Sequence, residues 1–202
     1  MNESLLWQVR HFVYTHFADT TYPPSVEDTA AHFNISIEET SDYFKELHHR
    51  HAIFLEPETL AIRMANPFSG IPTDFKVNAN GKTYYANCAW DMLGIPVALH
   101  ADAVIEAICT ESNDAVRIKI INGQISASQI DYVTLSESKG SLPPTSETLR
   151  SAQSDMLFVH FPLPFSRWYD DLTFTSATML LFRSEEWIDV WCKRNNWNAE
   201  KS

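Results

Sequence analysis

The chain has 202 residues, of which 45% are hydrophobic and 12% aromatic, and it carries a formal net charge of -11. This composition is typical of a globular protein with a buried core and excludes a disordered chain. The acidic balance argues against a general affinity for nucleic acid or for an anionic membrane surface.

The cysteine usage and the hydropathy pattern restrict the chain further. The three cysteines form no CxxC pair and are too few for a disulfide framework, which argues against a zinc knuckle and a secreted scaffold. Neither a signal peptide nor an apolar run of about 18 residues is evident. We therefore expect a cytoplasmic protein with no membrane partner.

The first part of the chain has the pattern of three helices followed by a hairpin. Apolar residues at helical spacing predict an amphipathic helix over residues 4–18. Ser25 and Ser36 stand at N-cap positions and predict a second and a third helix, the third ending near His49. Two short β-like runs lie within residues 52–64. This order predicts a winged-helix-like arrangement.

The charge of this part does not suit a DNA-binding winged helix. Residues 1–65 contain four basic and ten acidic side chains, a net charge of -6. The helix that would enter the major groove begins with Glu38, Glu39 and Asp42. A basic surface is the first requirement of a DNA-binding domain. We therefore predict a structural role for this part and no nucleic-acid partner.

The second part of the chain predicts a sheet with a few helices. Asn80-Gly81 is a strong hairpin turn signal within residues 74–86, and a short helix is predicted from Asn87 to Leu93. The remaining predictions are strands at 102–109, 115–121, 131–135, 156–162 and 173–182, a loop at 136–154 and a closing helix at 184–197.

These elements predict an α+β fold with two domains. Residues 1–68 would form the winged-helix-like helical domain, and residues 69–202 a mixed or antiparallel sheet domain with helices.

The segment YYANCAWDMLGIP, residues 84–96, contains the principal candidate site. Asn87 is a suitable N-cap, which would place Cys88 in the first turn of a helix, where unpaired N–H groups favour a thiolate. Asp91 follows three residues later on the same face, and its charge would raise the pKa of the thiol. From spacing alone, a small buried cysteine beside an ordinary acid is the alternative interpretation.

The run GIPTDFKVNANGKTYYANCAWDMLGIP, residues 70–96, resembles the signature region of the alkylmercury lyases. In that family a hairpin leads into a helix with a Cys-Ala-x-Asp motif, followed by an apolar stretch that ends in Pro. The segments ADAVIEAICTES, MLFVHFPLP and TFTSATMLLFRS resemble later strands of the same family.

The resemblance implies protonolysis of a carbon–mercury bond without a cofactor. Two cysteines of the family bind mercury and an aspartate transfers the proton, and Cys88 and Asp91 match the first cysteine and the aspartate. Thiolates suit mercury because it is a very soft metal. The catalytic candidates are therefore Cys88 and Asp91, and Cys88 is the candidate metal ligand.

The chain departs from the family at the second cysteine. Aligning the strand from Phe174 places Thr175 at that position, and aligning it from Ser184 places Ser176 there. A hydroxyl group is a hard, weak ligand for mercury, so these two residues are interpreted as the replacement of the second cysteine or as substrate-binding residues. Cys109 matches a family cysteine in a structural strand.

Three functions remain open from the sequence. The first is a lyase-like enzyme that uses Cys88 and Asp91 on a substrate other than an organomercurial. The second is a genuine carbon–mercury lyase with a one-cysteine site. The third is a non-catalytic protein that binds a soft metal or a small ligand. The expected partner is thus a small-molecule substrate or a soft metal, and the sequence does not indicate an oligomeric state.

Overall fold

The computed structural model describes residues 1–133, 158–160, 180–182 and 185–194. The helices within these ranges are α1 (Glu3–Thr20), α2 (Val26–Phe33), α3 (Ile37–His49), α4 (Asp91–Leu99) and α5 (Glu185–Arg194). The strands are β1 (Phe54–Leu55), β2 (Ile62–Ala65), β3 (Phe68–Ser69), β4 (Lys76–Ala79), β5 (Lys82–Tyr85), β6 (Ala103–Ile108), β7 (Ala115–Ile121), β8 (Gln124–Val133), β9 (Phe158–His160) and β10 (Leu180–Phe182). None of the helices in these ranges is both long and apolar enough to cross a bilayer.

The second and third helices begin where the sequence predicts because their caps are local. The Ser25 hydroxyl accepts a hydrogen bond from the Asp28 N–H, and the Asp28 carboxylate accepts one from the Ser25 N–H, which makes a capping box. The Ser36 hydroxyl likewise accepts from the Glu39 N–H at the start of α3. Asn34 ends α2 in the left-handed conformation.

A small antiparallel sheet follows the helices, in the order β1-β2-β3. Its last strand is linked to the larger sheet by an isolated antiparallel bridge between Phe68 and Ala86. The Phe68 ring also stacks on Phe17 of α1, with ring centroids 5.4 Å apart. The helical part of the chain is thereby packed directly against the segment that follows β5.

The larger sheet has the order β5-β4-β6-β7-β8, and all of its neighbouring strands are antiparallel. Tyr84, Val77, Ile105 and Ile118 are cross-strand neighbours in one row. All four are at most 1% exposed. They belong to one apolar core with the buried residues of α1 and α4. The sheet therefore has an inner face that these two helices cover.

The opposite face of this sheet is charged. The register brings Lys76 opposite Glu106 and Glu106 opposite Arg117, and all three side chains are exposed. Opposite charges on neighbouring strands stabilise a sheet modestly. Arg117 is therefore placed on the face of the sheet away from α1 and α4.

The predicted α+β class with an antiparallel sheet is confirmed, and one strand boundary is wrong. β8 begins at Gln124, seven residues before the predicted start at 131. Asn122 and Gly123 have φ values of 51° and 72° and form a tight turn between β7 and β8. The residues after this turn are mostly small or polar, so their strand propensity is weak. The predicted loop at 136–154 and most of the two last predicted strands lie outside the described residues.

Gly70→Ala is expected to lower the free energy of unfolding by about 3 kcal/mol, because the added methyl group would overlap the backbone carbonyl oxygen of Ile62. Gly123→Ala is the matched control, since a Cβ there meets open space and only the left-handed backbone conformation resists it. The Gly123→Ala substitution should lower the free energy of unfolding by about 1 kcal/mol. Urea unfolding measures both variants, and equal losses would contradict the proposed overlap.

Candidate functional site

The segment between β5 and α4 differs from the predicted helix. α4 begins at Asp91, with Trp90 at the N-cap position, so the predicted helix start at Asn87 is wrong. Asn87 and Cys88 lie in the preceding bend, where the Cys88 carbonyl oxygen accepts a hydrogen bond from the Met92 N–H at 3.2 Å. The helix also continues through Pro96 to Leu99, beyond the predicted end at Leu93.

The Cys88 side chain is only 3% exposed. Burial raises the pKa of its thiol well above the ordinary value, and the nearby charge of Asp91 raises it further. The backbone N–H groups of Trp90 and Asp91 lie close to the sulfur and act in the opposite direction. The thiolate that the sequence predicts is therefore not favoured, because desolvation outweighs the backbone N–H groups. Cys88 carries its proton at neutral pH.

Asp91 is the first residue of α4, and its half-buried carboxyl group accepts a hydrogen bond from the Cys88 thiol. Burial raises the pKa of Asp91 to about 6, although hydrogen bonds from Cys88 and Asn87 lower it in part. A carboxyl group with this pKa can both accept and release a proton near neutral pH. Solvent reaches the pair on the side of Asp91, since Cys88 is covered.

Asn87 is a buried hydrogen-bond donor rather than a helix cap. Its side chain is 5% exposed, and its Nδ2 donates to Asp91 Oδ2 at 3.3 Å. Sequence reasoning missed this contact because an Asn before a helical pattern is most simply read as an N-cap. The spacing of four residues between Asn87 and Asp91 was the available signal.

Tyr14 is a second residue near the site that the sequence did not reveal. Burial raises the pKa of its hydroxyl, Arg10 lowers it in part, and the charge of Asp91 makes a smaller contribution that raises it, so this side chain of α1 lies within electrostatic reach of the carboxyl group. Its hydroxyl donates to the Ala52 carbonyl oxygen at 3.1 Å. The Arg10 guanidinium lies 4.5 Å from the centre of the Tyr14 ring. Such a contact between distant segments leaves no local pattern in the sequence.

Of the other sequence candidates, Cys109 is the one within the described residues. Cys109 is fully buried, and its backbone closes the turn after β6 through hydrogen bonds with Asn113 and Asp114. Thr175 and Ser176, the predicted replacements of the second cysteine, lie outside the described residues. Within the described ranges, no group of three His, Cys, Asp or Glu side chains is arranged to hold a metal ion.

The described geometry is that of a thiol–acid pair. A soft atom could bond to the Cys88 sulfur if the thiol lost its proton, and the nearest acceptor for that proton is the carboxylate of Asp91. The proton would then stay within the site and be available to a leaving group.

The sequence model of the alkylmercury lyase family matches residues 68–139 of this chain. The match covers about a third of the chain, and it includes Cys88, Asp91 and Cys109 but ends before Thr175. A search of curated protein sequences finds no match.

Among solved structures, the mercury-bound form of MerB2 is similar to this chain, with a TM-score of 0.66 and 17% sequence identity. The similarity covers 97% of this chain and 82% of that one. At this identity the likeness concerns the fold. Together with the family match, it confirms the resemblance to the alkylmercury lyases.

Asp91→Asn is expected to change the pH dependence of stability. The folded state holds the Asp91 proton more tightly than the unfolded chain, because its pKa is about 6 against an ordinary value of 3.8. The stabilisation from this proton is present below about pH 4 and is lost as the pH rises through about 6. Relative to the wild type, the variant should therefore gain up to about 2 kcal/mol between pH 4 and pH 8.

Urea unfolding of both proteins at these two pH values measures the difference. The other titrating groups are common to both proteins, so they cancel when the wild-type value is subtracted. A difference that stays constant with pH would contradict a raised pKa of Asp91.

Proposed function

We propose that this alkylmercury-lyase-like chain is an enzyme in which Cys88 binds a soft electrophilic atom and Asp91 transfers the proton, on a substrate other than an organomercurial. The observation that carries the proposal is the hydrogen bond between the buried Cys88 thiol and the half-buried Asp91 carboxyl group. The family resemblance aligns Thr175 or Ser176 with the second cysteine of the family, and a hydroxyl group there supports a change of substrate, because mercury chemistry in the family uses two cysteines.

The first step is capture of the substrate. The Cys88 sulfur forms a bond to the soft atom and displaces its weaker ligand, while the thiol proton passes to the Asp91 carboxylate. Asp91 has to be ionised for this step, which its pKa of about 6 allows at neutral pH. No external base is required.

The second step returns the proton. The bond between the soft atom and the leaving carbon or heteroatom breaks, and the leaving atom takes the proton from the Asp91 carboxyl group. The electron pair of the broken bond becomes the new bond to hydrogen. Asp91 is then a carboxylate again, and the soft atom stays on the Cys88 sulfur until it is released.

A genuine carbon–mercury lyase is the second candidate, and the family match over residues 68–139 favours it. In that case mercury is the soft atom and the leaving group is a hydrocarbon. Among the described residues, the Cys88 thiolate would hold the mercuric product, with the neighbouring Asp91 carboxylate as a further ligand. Carboxylate oxygen is a poor ligand for so soft a metal, which would make product retention weak and turnover limited.

The rate at which iodoacetamide alkylates Cys88 should report the capture step. We expect the rate to rise with pH through about 6 and then level off, because ionised Asp91 accepts the thiol proton. Asp91→Asn should remove this rise and slow alkylation about 100-fold at pH 7. Mass spectrometry of the Cys88 peptide measures the alkylation rate at each pH in the wild type and in Asp91→Asn. An unchanged pH profile in the variant would refute the role of Asp91 as the proton acceptor.

Phenylmercuric acetate distinguishes the two candidate functions. We expect Cys88 to bind one equivalent of phenylmercury with little release of benzene, and Cys88→Ser to bind one equivalent less. Cys109→Ser is the matched control and should retain the reaction at Cys88. Mercury analysis after gel filtration and headspace gas chromatography measure binding and benzene.

Catalytic benzene release by the wild type that is lost in Cys88→Ser would instead establish the carbon–mercury lyase. If neither Cys88→Ser nor Asp91→Asn altered binding or release, both candidate functions would be wrong.

A further inference from the structure

The Asn87 side chain lies where three segments of the chain meet. Its Nδ2 is 3.0 Å from Asn66 Oδ1 and 3.1 Å from the Phe68 carbonyl oxygen, both at the turn between β2 and β3. The same nitrogen is 3.4 Å from the Pro67 carbonyl oxygen and 3.3 Å from Asp91 Oδ2 at the start of α4. The amide group thus connects the small sheet to the first residue of the helix.

The orientation of this amide group is fixed by its surroundings. All four of these neighbours present an oxygen atom, and the two carbonyl oxygens of the main chain can only accept a hydrogen bond. A rotated amide would place its own oxygen against them. The nitrogen therefore has to face this turn and Asp91.

Packing holds the same junction in place. A Cβ at Gly94, one turn after Asp91, would lie only 3.2 Å from the Pro67 Cβ, so α4 sits close to the turn that Asn87 contacts. Thr73 adds a hydrogen bond from its hydroxyl to the Ala86 carbonyl oxygen at 2.6 Å, immediately before Asn87. The backbone on both sides of Asn87 is therefore constrained, and its amide is a rigid donor.

The geometry points to Asn87 as a positioning residue for the reaction at Cys88. By holding Oδ2 of Asp91 against the turn between β2 and β3, it fixes the carboxyl group in the rotamer that meets the Cys88 thiol. This role rests on the proposed function. Side chains that orient an active-site group without touching substrate commonly change activity about ten- to a hundredfold when they are removed.

The direct test is the conformation of Asp91 in the intact protein without substrate. Three-bond NMR couplings from the Asp91 backbone nitrogen and carbonyl carbon to Cγ report its χ1 angle. We expect the values of a single rotamer in the wild type and averaged values in Asn87→Ala.

Thr73→Val is the matched control, because it removes a neighbouring hydrogen bond of the same segment without touching Asp91. It should keep the wild-type couplings. A single rotamer in Asn87→Ala, or averaging in both variants, would overturn the positioning role.

A second measurement decides the question if Asn87→Ala does not fold. In Asp91→Ala the Asn87 side chain loses one acceptor, so one of its two amide proton resonances should shift and exchange faster with solvent. The resonances of the Asn78 side chain, whose Oδ1 accepts a hydrogen bond from the Thr83 hydroxyl within the β4–β5 hairpin, serve as the reference. Unchanged Asn87 resonances would overturn the contact.

Reaction with iodoacetamide connects the positioning to the chemistry. The second-order rate constant of Cys88 alkylation should fall about ten- to a hundredfold in Asn87→Ala and stay at the wild-type value in Thr73→Val. An unchanged rate constant in Asn87→Ala, or an equal loss in Thr73→Val, would overturn the role. If Asp91→Asn alkylated Cys88 at the wild-type rate, the proposed function would fail. The NMR couplings of Asp91 would still show whether Asn87 fixes the Asp91 rotamer.

Discussion

The inner face of the large sheet has to be covered, and this constraint determines where the candidate site lies. The row formed by Tyr84, Val77, Ile105 and Ile118 is buried because α1 and α4 both pack on that face. After β5, the chain has only residues 86–90 in which to turn from the edge of the sheet onto this face. Burial of Cys88 and the half-burial of Asp91 follow from that short turn.

The free energies involved show why the protein tolerates an unfavourable carboxyl group there. Raising the pKa of Asp91 to about 6 costs on the order of 3 kcal/mol at neutral pH. Met92 and Ile95, on the same helix, are almost fully buried. Each contributes roughly 2 kcal/mol through burial, so the two together offset the cost. The burial of apolar side chains on α4 therefore compensates for the free-energy cost of placing the Asp91 carboxyl group beside the Cys88 thiol.

The sequence predicts those parts of the fold whose signals are local. The caps at Ser25 and Ser36 and the turn at Asn80-Gly81 each involve neighbouring residues, and the corresponding elements lie where they are predicted. The start of α4 is wrong because the partners of Asn87 come from a turn some twenty residues earlier in the chain. Capping propensity depends on neighbouring residues and carries no information about such distant partners.

The start of β8 is wrong for a different reason. Asn122-Gly123 is the same turn signal as Asn80-Gly81, and polar and apolar residues alternate over 124–128, but Ile125 is the one residue of that run with a strong strand propensity. Pairing with β7 supplies the stabilisation that the sequence pattern does not show. Tertiary context decides such a strand.

The protonation of Cys88 changes how the site has to work. A thiolate at a helix N-terminus would react with any available electrophile. A buried thiol with a raised pKa reacts only when bond formation to sulfur is strong enough, or when Asp91 removes its proton. In the proposed function, desolvation of the thiol would favour atoms that bond strongly to sulfur.

The position of the proton also limits the number of thiols that the chemistry needs. In a two-thiol site, the second sulfur donates electron density to the soft atom and assists cleavage. In the arrangement of Cys88 and Asp91, the only proton released on capture is held next to the bond that has to break, so proton delivery can proceed with one sulfur. Release of the soft atom then becomes the difficult step in this proposal, because the group beside the thiol in the described part of the chain is a carboxylate, which is a poor ligand for a soft atom. A substrate whose soft atom binds sulfur less tightly than mercury does would relieve that step, which is the physical reason for proposing a different substrate.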